Sequence, residues 1–353
     1  MKKHDFIVTT PAGMTLIELL VVISILGLLT IIVIPALSGN RENNANRNAS
    51  QQVSGLISQS RNDAISAGRW AGFTVETTEL DIARCRVPPP YQGDMTSSMV
   101  RFEYDPTAIS PIPPRVRENS GGELSSFDDV GVRIGDFITF AGRSQRYRVS
   151  SNSSLIGPPP RRTFGITLVG STTTQPWPPT DVPMPFSIER QPRVVGSTIS
   201  LSTESSIDMR WSGYGDMSSY TTFWDGNPPV GSPPAPDPNN VIPQVSVLFD
   251  ERGTLREIIR NNPVTNVVDR IPPDGAVFFL IGRVDRRANL YNSAAGPSAT
   301  DDTLGANWQY PTSYWVVIDP VSGQTRIAEC FQGATTPEAS QQYVREGLIS
   351  QGL

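Results

Sequence analysis

Apolar residues dominate one continuous stretch near the start of the chain, at positions 14–37. Its exceptions are small or hydroxyl residues, Pro35 and one full charge, Glu18. About 24 residues in a helix rise roughly 36 Å, which is enough to cross the hydrocarbon core of a bilayer. The pattern predicts a transmembrane helix, and Lys2 and Lys3 predict that the segment before it stays cytoplasmic.

The helical pattern continues beyond position 37 with a different chemistry. A small-residue stripe at steps of three and four predicts the buried face of an amphipathic helix; its members are Ala49, Val53, Leu56, Ser60, Ala64 and Ala67. Arg61 lies outside this stripe, and Gly68 is a suitable C-terminal stop. The asparagine-rich stretch 40–48 predicts a local weakening after Pro35. We therefore predict a stem helix at 14–68.

After Trp70 the alternation of apolar and polar residues predicts strands. Segments 244–249 and 254–260 flank a turn that ends in Gly253, which predicts a hairpin. Further strands are predicted at 276–281, at 313–318 and before Cys330, and a second group at 136–140, 146–149 and 164–169. The second group lies between proline-rich loops and predicts an inserted β subdomain at about 110–195. The predicted fold class is α+β, a long helix packed on a mainly antiparallel β head at 69–353.

A second interpretation of the N-terminus is a cleaved secretory signal, with the small residues Ala36 and Ser38 before Gly39 as the cleavage site. The apolar core of such signals is about 7–15 residues long, which is shorter than the stretch at 14–37. This core would also contain Glu18.

The sequence GMTLIE at positions 13–18, with a basic leader before it and an apolar helix after it, resembles the type III signal of type IV pilins and type II secretion pseudopilins. The strand series after position 244 resembles the H-type minor pseudopilin and minor-pilin branch. The resemblance implies that a prepilin peptidase cleaves after Gly13 and methylates Met14, although phenylalanine is the commoner first residue. It also implies that Glu18 is an assembly residue and Pro35 a helix-loosening residue.

The resemblance implies a structural role, as a minor subunit of a type II secretion system or of a type IV pilus-like filament. The expected location is the inner membrane, crossed once, with the head in the periplasm. The expected partners are the prepilin peptidase, other subunits through the stem helix, the inner-membrane assembly platform and membrane lipid. The alternative is a pilin-anchored binding or adhesin module, which would bind a ligand or DNA through the inserted region. The choice between a secretion system and a true pilus stays open.

Glu18 has two interpretations. In a filament, its carboxylate can meet the Met14 amine of a neighbouring subunit inside an apolar bundle, where each charge is costly alone and tolerated as a pair. The other interpretation is a tolerated charge near a helix end.

The sequence predicts no catalytic residue, no metal and no cofactor, and the protein is not expected to be an enzyme. His4, the only histidine, lies in the predicted leader 1–13, so a processed chain would lack His-based triads and most zinc sites. The paired acids at 128–129 and 301–302 could in principle serve a glycosidase or hold calcium. Adjacent side chains on an extended segment point apart, however.

No nucleic-acid partner is expected, because the net charge is -5. The arginine pairs at 161–162 and 286–287 are too sparse to form a groove by themselves. Cys85 and Cys330 are the only cysteines. In an oxidising compartment they could form a disulfide or stay as two separate buried thiols.

Overall fold

The computed structural model describes residues 16–92, 99–107, 112–119, 132–143, 145–151, 154–156, 161–168, 177–215, 220–223, 244–262, 267–287, 305–331 and 336–350. Two α-helices stand at the ends of this chain, α1 at Leu16–Ala67 and α2 at Pro337–Ser350. Helix α1 has 52 residues and ends before Gly68, whose φ of 57° is the left-handed conformation that glycine adopts without strain.

The strands between the helices are short. In chain order they are β1 Ala71–Val75, β2 Asp81–Arg86, β3 Tyr91–Gln92, β4 Val100–Asp105, β5 Ile112–Glu118, β6 Phe137–Phe140, β7 Arg146–Val149, β8 Ser154–Ile156, β9 Arg161–Leu168, β10 Pro183–Met184, β11 Phe186–Glu189, β12 Arg193–Val194, β13 Ile199–Ser200, β14 Ser205–Ile207, β15 Gly213–Gly215, β16 Thr221–Thr222, β17 Gln244–Phe249, β18 Leu255–Asn262, β19 Val267–Ile271, β20 Ala276–Arg283, β21 Tyr314–Ile318 and β22 Thr325–Glu329.

These strands form three antiparallel sheets. The first, which we call the head sheet, has the order β12-β2-β1-β17-β18-β19, with β13 also paired to β2. The second, the C-terminal sheet, has the order β16-β15-β20-β21-β22, with β14 paired to β20. Helix α1 packs on both sheets, and one cluster of buried side chains from the helix and both sheets forms the main core. The helix therefore joins two sheets that would otherwise expose their inner faces.

The third sheet contains β3 to β11 and closes on itself. Its order is β10-β4-β5-β9-β7-β6-β11-β3, and β8 pairs with β9. The stretch 183–189 supplies both β10, paired with β4, and β11, paired with β6. Because one stretch of chain joins the two ends, the sheet forms a small barrel with its own core, which includes Phe102, Tyr147 and Phe186. The barrel uses residues from Tyr91 to Glu189, which differs from the predicted bounds of 110–195.

The barrel is held against the head sheet by charged groups. Arg270 of β19 forms ion pairs with Glu189 of β11 and Glu257 of β18, and its guanidinium carbon lies 4.9 Å from the ring centroid of Phe137. The side chain of Arg270 is only 9% exposed. These contacts fix the barrel at the β19 edge of the head sheet.

The predicted fold class, α+β with a long stem helix that has a transmembrane half, is wrong. The described chain is mainly antiparallel β in three sheets. Among the described residues, no helix is long and apolar enough to span a bilayer. The predicted transmembrane segment 14–37 and the predicted single pass through the inner membrane are both contradicted by this finding.

Candidate functional site: the two halves of helix α1

The first part of α1 exposes large apolar side chains. Leu16, with 82% of its surface exposed, and Val22, with 44%, are the extremes. The set, which we call the apolar segment, is Leu16, Ile17, Leu19, Leu20, Val21, Val22, Ile23, Ile25 and Leu26. These residues surround the helix on all sides, since nine of eleven consecutive positions belong to the set. A helix that is apolar all round normally lies buried, so the apolar segment is a surface that a partner would cover.

The residues predicted for processing and assembly lie in or next to this part of the helix. Gly13 and Met14 are outside the described residues. Glu18 and Pro35 lie within α1, and the structure does not describe their side chains. The backbone of α1 is helical through position 35. The roles of Gly13, Met14, Glu18 and Pro35 therefore stay predictions.

The second part of α1 is anchored on the sheets through its predicted stripe. Ala49, Val53, Leu56, Ser60 and Ala64 are at most 3% exposed. Ala67 is exposed, so the stripe ends one turn earlier than predicted, and Ile57 was missed although it is fully buried. The periodic pattern does not select Ile57, because Val53 and Leu56 already follow the helical spacing. Ile57 is buried because α1 packs on two sheets, which makes its buried face wider than the predicted stripe.

A charged contact at Glu42 fixes α1 against the C-terminal sheet. Glu42 accepts hydrogen bonds from Arg286 at 2.9 Å and from the Thr312 hydroxyl at 2.7 Å. Arg283 donates to the other carboxylate oxygen of Glu42 at 3.3 Å. Arg286 is only 2% exposed, and its guanidinium lies 3.6 Å from the ring centroid of Tyr310. Arg286 therefore belongs to the packing of α1 on the C-terminal sheet.

The asparagine-rich stretch of α1 packs on the C-terminal sheet. Asn43 accepts a hydrogen bond from the Tyr314 hydroxyl at 2.6 Å. Asn46 is fully buried, donates to the Thr312 carbonyl at 2.9 Å and accepts from the Ser205 hydroxyl at 2.8 Å. The predicted local weakening is wrong for residues 42–48, because these contacts with the C-terminal sheet compensate for the low helix propensity of asparagine.

Arg61 links α1 to two β-turns. Its Nε donates to the Gly253 carbonyl at 3.1 Å and to the Ser322 carbonyl at 3.0 Å. These carbonyls belong to the β17–β18 turn and the β21–β22 turn. At Gly323 a Cβ atom would lie 1.9 Å from the Gly253 oxygen, which explains why the second turn carries glycine. The helical pattern predicts only that Arg61 lies outside the stripe. Its two partners lie about 190 and 260 residues away along the chain, so no local pattern predicts these contacts.

A buried carboxylate ties the head sheet to the C-terminal sheet. Glu79 is 1% exposed, accepts a hydrogen bond from the Met209 amide at 2.9 Å and pairs with Arg287 at 3.0 Å. Burial, together with the nearby Asp208 carboxylate, raises the pKa of Glu79 from 4.5 to about 8. The Met209 amide and the arginines at 287 and 210 lower the pKa but do not outweigh burial.

This elevated pKa predicts a pH-dependent stability. Between pH 4.5 and 8 the folded protein keeps a proton on Glu79 that the unfolded chain has released. The free energy of unfolding therefore decreases as pH rises through this window, by up to about 1.4 kcal/mol per pH unit. Glu79→Gln is always neutral and should flatten that slope in urea denaturation, whereas Glu76→Gln, at a half-buried site, should keep the parent slope. A parent slope retained by Glu79→Gln would contradict this assignment.

The two cysteines are separate buried thiols, the second of the two predicted alternatives. Cys85 packs with Leu248 and Ile259 on the head sheet, and Cys330 packs with Trp211 and Phe278 on the C-terminal sheet. Burial raises the pKa of Cys85 to about 12 and raises that of Cys330 as well. Neither thiol is set up as a nucleophile.

The described residues hold no group of three potential metal ligands, and the acid pairs at 128–129 and 301–302 lie outside them. The predictions of no enzyme activity and no cofactor therefore stay predictions. Comparison with family models, with curated proteins and with solved structures finds no match to this chain.

Proposed function

We propose that this protein is a structural subunit of a filament of the pilin or pseudopilin type, and that it assembles through the apolar segment of α1. The observation that carries the proposal is the contrast between the halves of one helix. Residues 42–64 pack on two sheets, whereas the nine side chains of the apolar segment are 44–82% exposed. A second copy of the segment, packed alongside, is the occupant that we infer.

The size of the exposed apolar surface supports this proposal. Burying a leucine, isoleucine or valine side chain contributes about 1.5–3 kcal/mol, so covering even half of the nine side chains contributes several kcal/mol. Leucine, isoleucine and valine repeated along a helix also suit packing against the same helix from another subunit. Association of this kind gives a structural role without requiring a catalytic group.

The anchored half supports the same proposal. A segment that carries load between subunits must transmit it to the head, and Glu42, Asn46 and Arg61 tie α1 to both ends of the C-terminal sheet. The helix also forms one core with the head sheet. The head would therefore move as a unit with the segment through which it assembles.

The Glu18 prediction gives a direct test of the filament proposal. Replacing Glu18 with alanine removes the expected partner of a neighbour's Met14 amine, at a cost of about 3–5 kcal/mol if that amine is fully buried. We expect assembly measured by sedimentation of the processed full chain to decrease sharply for Glu18→Ala. Ser24→Ala is a matched control, because Ser24 in the same segment only donates to the Leu20 carbonyl. Equal assembly by the two variants would show that Glu18 is a tolerated charge.

The alternative function, ligand binding by the inserted barrel, receives no separate support. The rings that stand out there, Trp177, Phe102 and Tyr147, stack on one another at 5.3–5.8 Å between centroids and complete the barrel core. We therefore keep the filament proposal as the function that the geometry supports best.

A further inference from the structure

Strand β22 forms one edge of the C-terminal sheet. It pairs with β21 on one side, and none of the described strands pairs with its other side. The other sheet edges of the described chain are strands of two or three residues, except for β19, against which the barrel is held. Strand β22 has five residues, so it presents a row of backbone groups that another chain can pair with.

The hydrogen bonds at the two ends of β22 show which of its residues point outward. The Cys330 amide donates to the Ser313 carbonyl at 2.9 Å, and the Asp319 amide donates to the Gln324 carbonyl at 3.0 Å. Backbone groups alternate between the two sides of an antiparallel strand, so every second residue from Gln324 to Cys330 points toward β21. The residues whose N–H and C=O groups point away from the sheet are then Thr325, Ile327 and Glu329.

The side chains of these three residues share the face of the sheet on which α1 lies. The Thr325 hydroxyl lies 2.8 Å from the Ser54 hydroxyl and 3.2 Å from the Ser58 hydroxyl. Ile327 is 38% exposed, and Glu329 is exposed as well. Helix α1 therefore borders this edge with short side chains and leaves an aliphatic and an acidic side chain open to water.

An exposed pair of aromatic rings stands at the end of this edge. Phe331 and Tyr343 are 41% and 51% exposed, and their rings stack with centroids 5.0 Å apart. The Phe331 amide donates to the Ser340 hydroxyl of α2 at 3.3 Å, so the chain turns away from the sheet edge here. A strand that paired with β22 and continued past Glu329 would reach these rings, which are the type of residue that anchors protein interfaces.

We propose that β22 receives an extended segment of a partner protein as an additional antiparallel strand. In this mode of recognition the backbone hydrogen bonds provide affinity, and alternate side chains provide specificity. The antiparallel direction follows from the strand pairs of the C-terminal sheet, which are antiparallel, and from the lower stability of parallel pairs. The surface lies on the head and does not involve the apolar segment, so its test is independent of the filament proposal.

The side chains of β22 define the chemistry of the partner segment. Directly opposed side chains interact in an antiparallel pair, so Glu329 favours a basic residue and Ile327 an aliphatic one. Arg326, which is half-buried on the opposite face, favours an acidic residue, and Thr325 favours a hydroxyl group. Read from its N-terminus, the segment is then basic, unrestricted, aliphatic, acidic and hydroxyl-bearing, after an apolar residue that meets Phe331.

This charge pattern favours a different protein over a second copy of β22. In an antiparallel self-pair with Ile327 opposite Ile327, Glu329 would stand opposite Thr325, and Arg326 opposite Ala328. Neither charge would then gain a counter-charge, whereas the segment described above pairs both of them.

The test is fluorescence anisotropy of the labelled peptide acetyl-Leu-Lys-Thr-Val-Glu-Thr-amide with the full chain, for which we expect saturable binding. Methylation of the valine amide nitrogen removes the donor that would face Ile327 and should weaken binding at least about tenfold. The matched control is methylation of the glutamate amide nitrogen, which would point away from β22 and should leave the affinity unchanged.

A charge exchange tests the register of the pair. Glu329→Lys places a like charge opposite the peptide lysine and should weaken binding about fivefold or more. A peptide with glutamate in place of that lysine should bind this variant more tightly than it binds the parent. Glu251→Lys makes the same charge change at an exposed turn of the head sheet and should bind like the parent. Thermal melting verifies the folding of both variants.

Four outcomes would overturn the proposal. The first is no saturable binding by the parent, and the second is an equal loss of affinity from the two methylated peptides. The third is loss of binding by Leu19→Lys with Ile23→Lys, which would place the site on the apolar segment. The fourth is that this same variant sediments as a dimer that Ile327→Lys dissociates, which would show that a second copy covers the edge.

Discussion

Replacing Glu42 with alanine is expected to lower the free energy of unfolding by about 3–5 kcal/mol. The variant leaves Arg286, only 2% exposed, without the carboxylate that accepts its hydrogen bond at 2.9 Å. It also removes the acceptor of the Thr312 hydroxyl and one of the acceptors of Arg283, which keeps its contact with Asp285. Removing a carboxylate from a nearly buried guanidinium costs far more than a surface pair contributes, so the effect should exceed that of a typical substitution.

Urea denaturation followed by tryptophan fluorescence measures this change, since Trp308 and Trp315 are fully buried in the C-terminal sheet cluster. Glu346→Ala is the matched control, because Glu346 is exposed on α2 and accepts a hydrogen bond from Gln342 one turn away. The control should change the free energy of unfolding by less than about 0.5 kcal/mol. A loss below about 1 kcal/mol for Glu42→Ala would show that the contact does not fix α1.

The elements that sequence predicted well are those whose signal is local. The turn at Asp250 to Gly253 follows from one glycine, and it joins β17 to β18 as expected, with a Gly253 φ of 80°. The buried stripe of α1 follows from its helical period. The β14 region shows the limit, because Ile207, Met209 and Trp211 alternate with polar residues as in a strand, but only Ser205–Ile207 is a strand. Asp208 there bonds Asn307 and ends the alternation.

The contacts that define the candidate site could not be predicted in the same way. Glu42 meets Arg283 and Arg286, and Arg61 meets two turns, across more than 190 residues of chain. The closure of the barrel depends on Pro185, which interrupts one stretch so that its halves pair with different strands. Such pairings depend on three-dimensional packing, which periodicity along one segment does not record.

The second large effect is expected in the apolar segment. Leu19→Lys together with Ile23→Lys places two charges on one face of α1, since these positions are one turn apart. Each lost side chain would contribute about 1.5 kcal/mol to association, so the pair should weaken it by about a hundredfold. Analytical ultracentrifugation of the full chain measures this loss. Gln51→Lys with Gln59→Lys adds the same charge on the exposed side of the anchored half and should leave association unchanged.

The central claim is that the apolar segment lies against its own counterpart in a neighbouring subunit. Ile23→Cys gives an exposed thiol in that segment, and Cys85 and Cys330 are too deeply buried to interfere. Under mild oxidation we expect Ile23→Cys to form disulfide-linked dimers, whereas Gln59→Cys, exposed on the same helix, should stay monomeric. Dimers in equal amount from both variants, or none from Ile23→Cys, would contradict the proposal that the chain assembles through this segment.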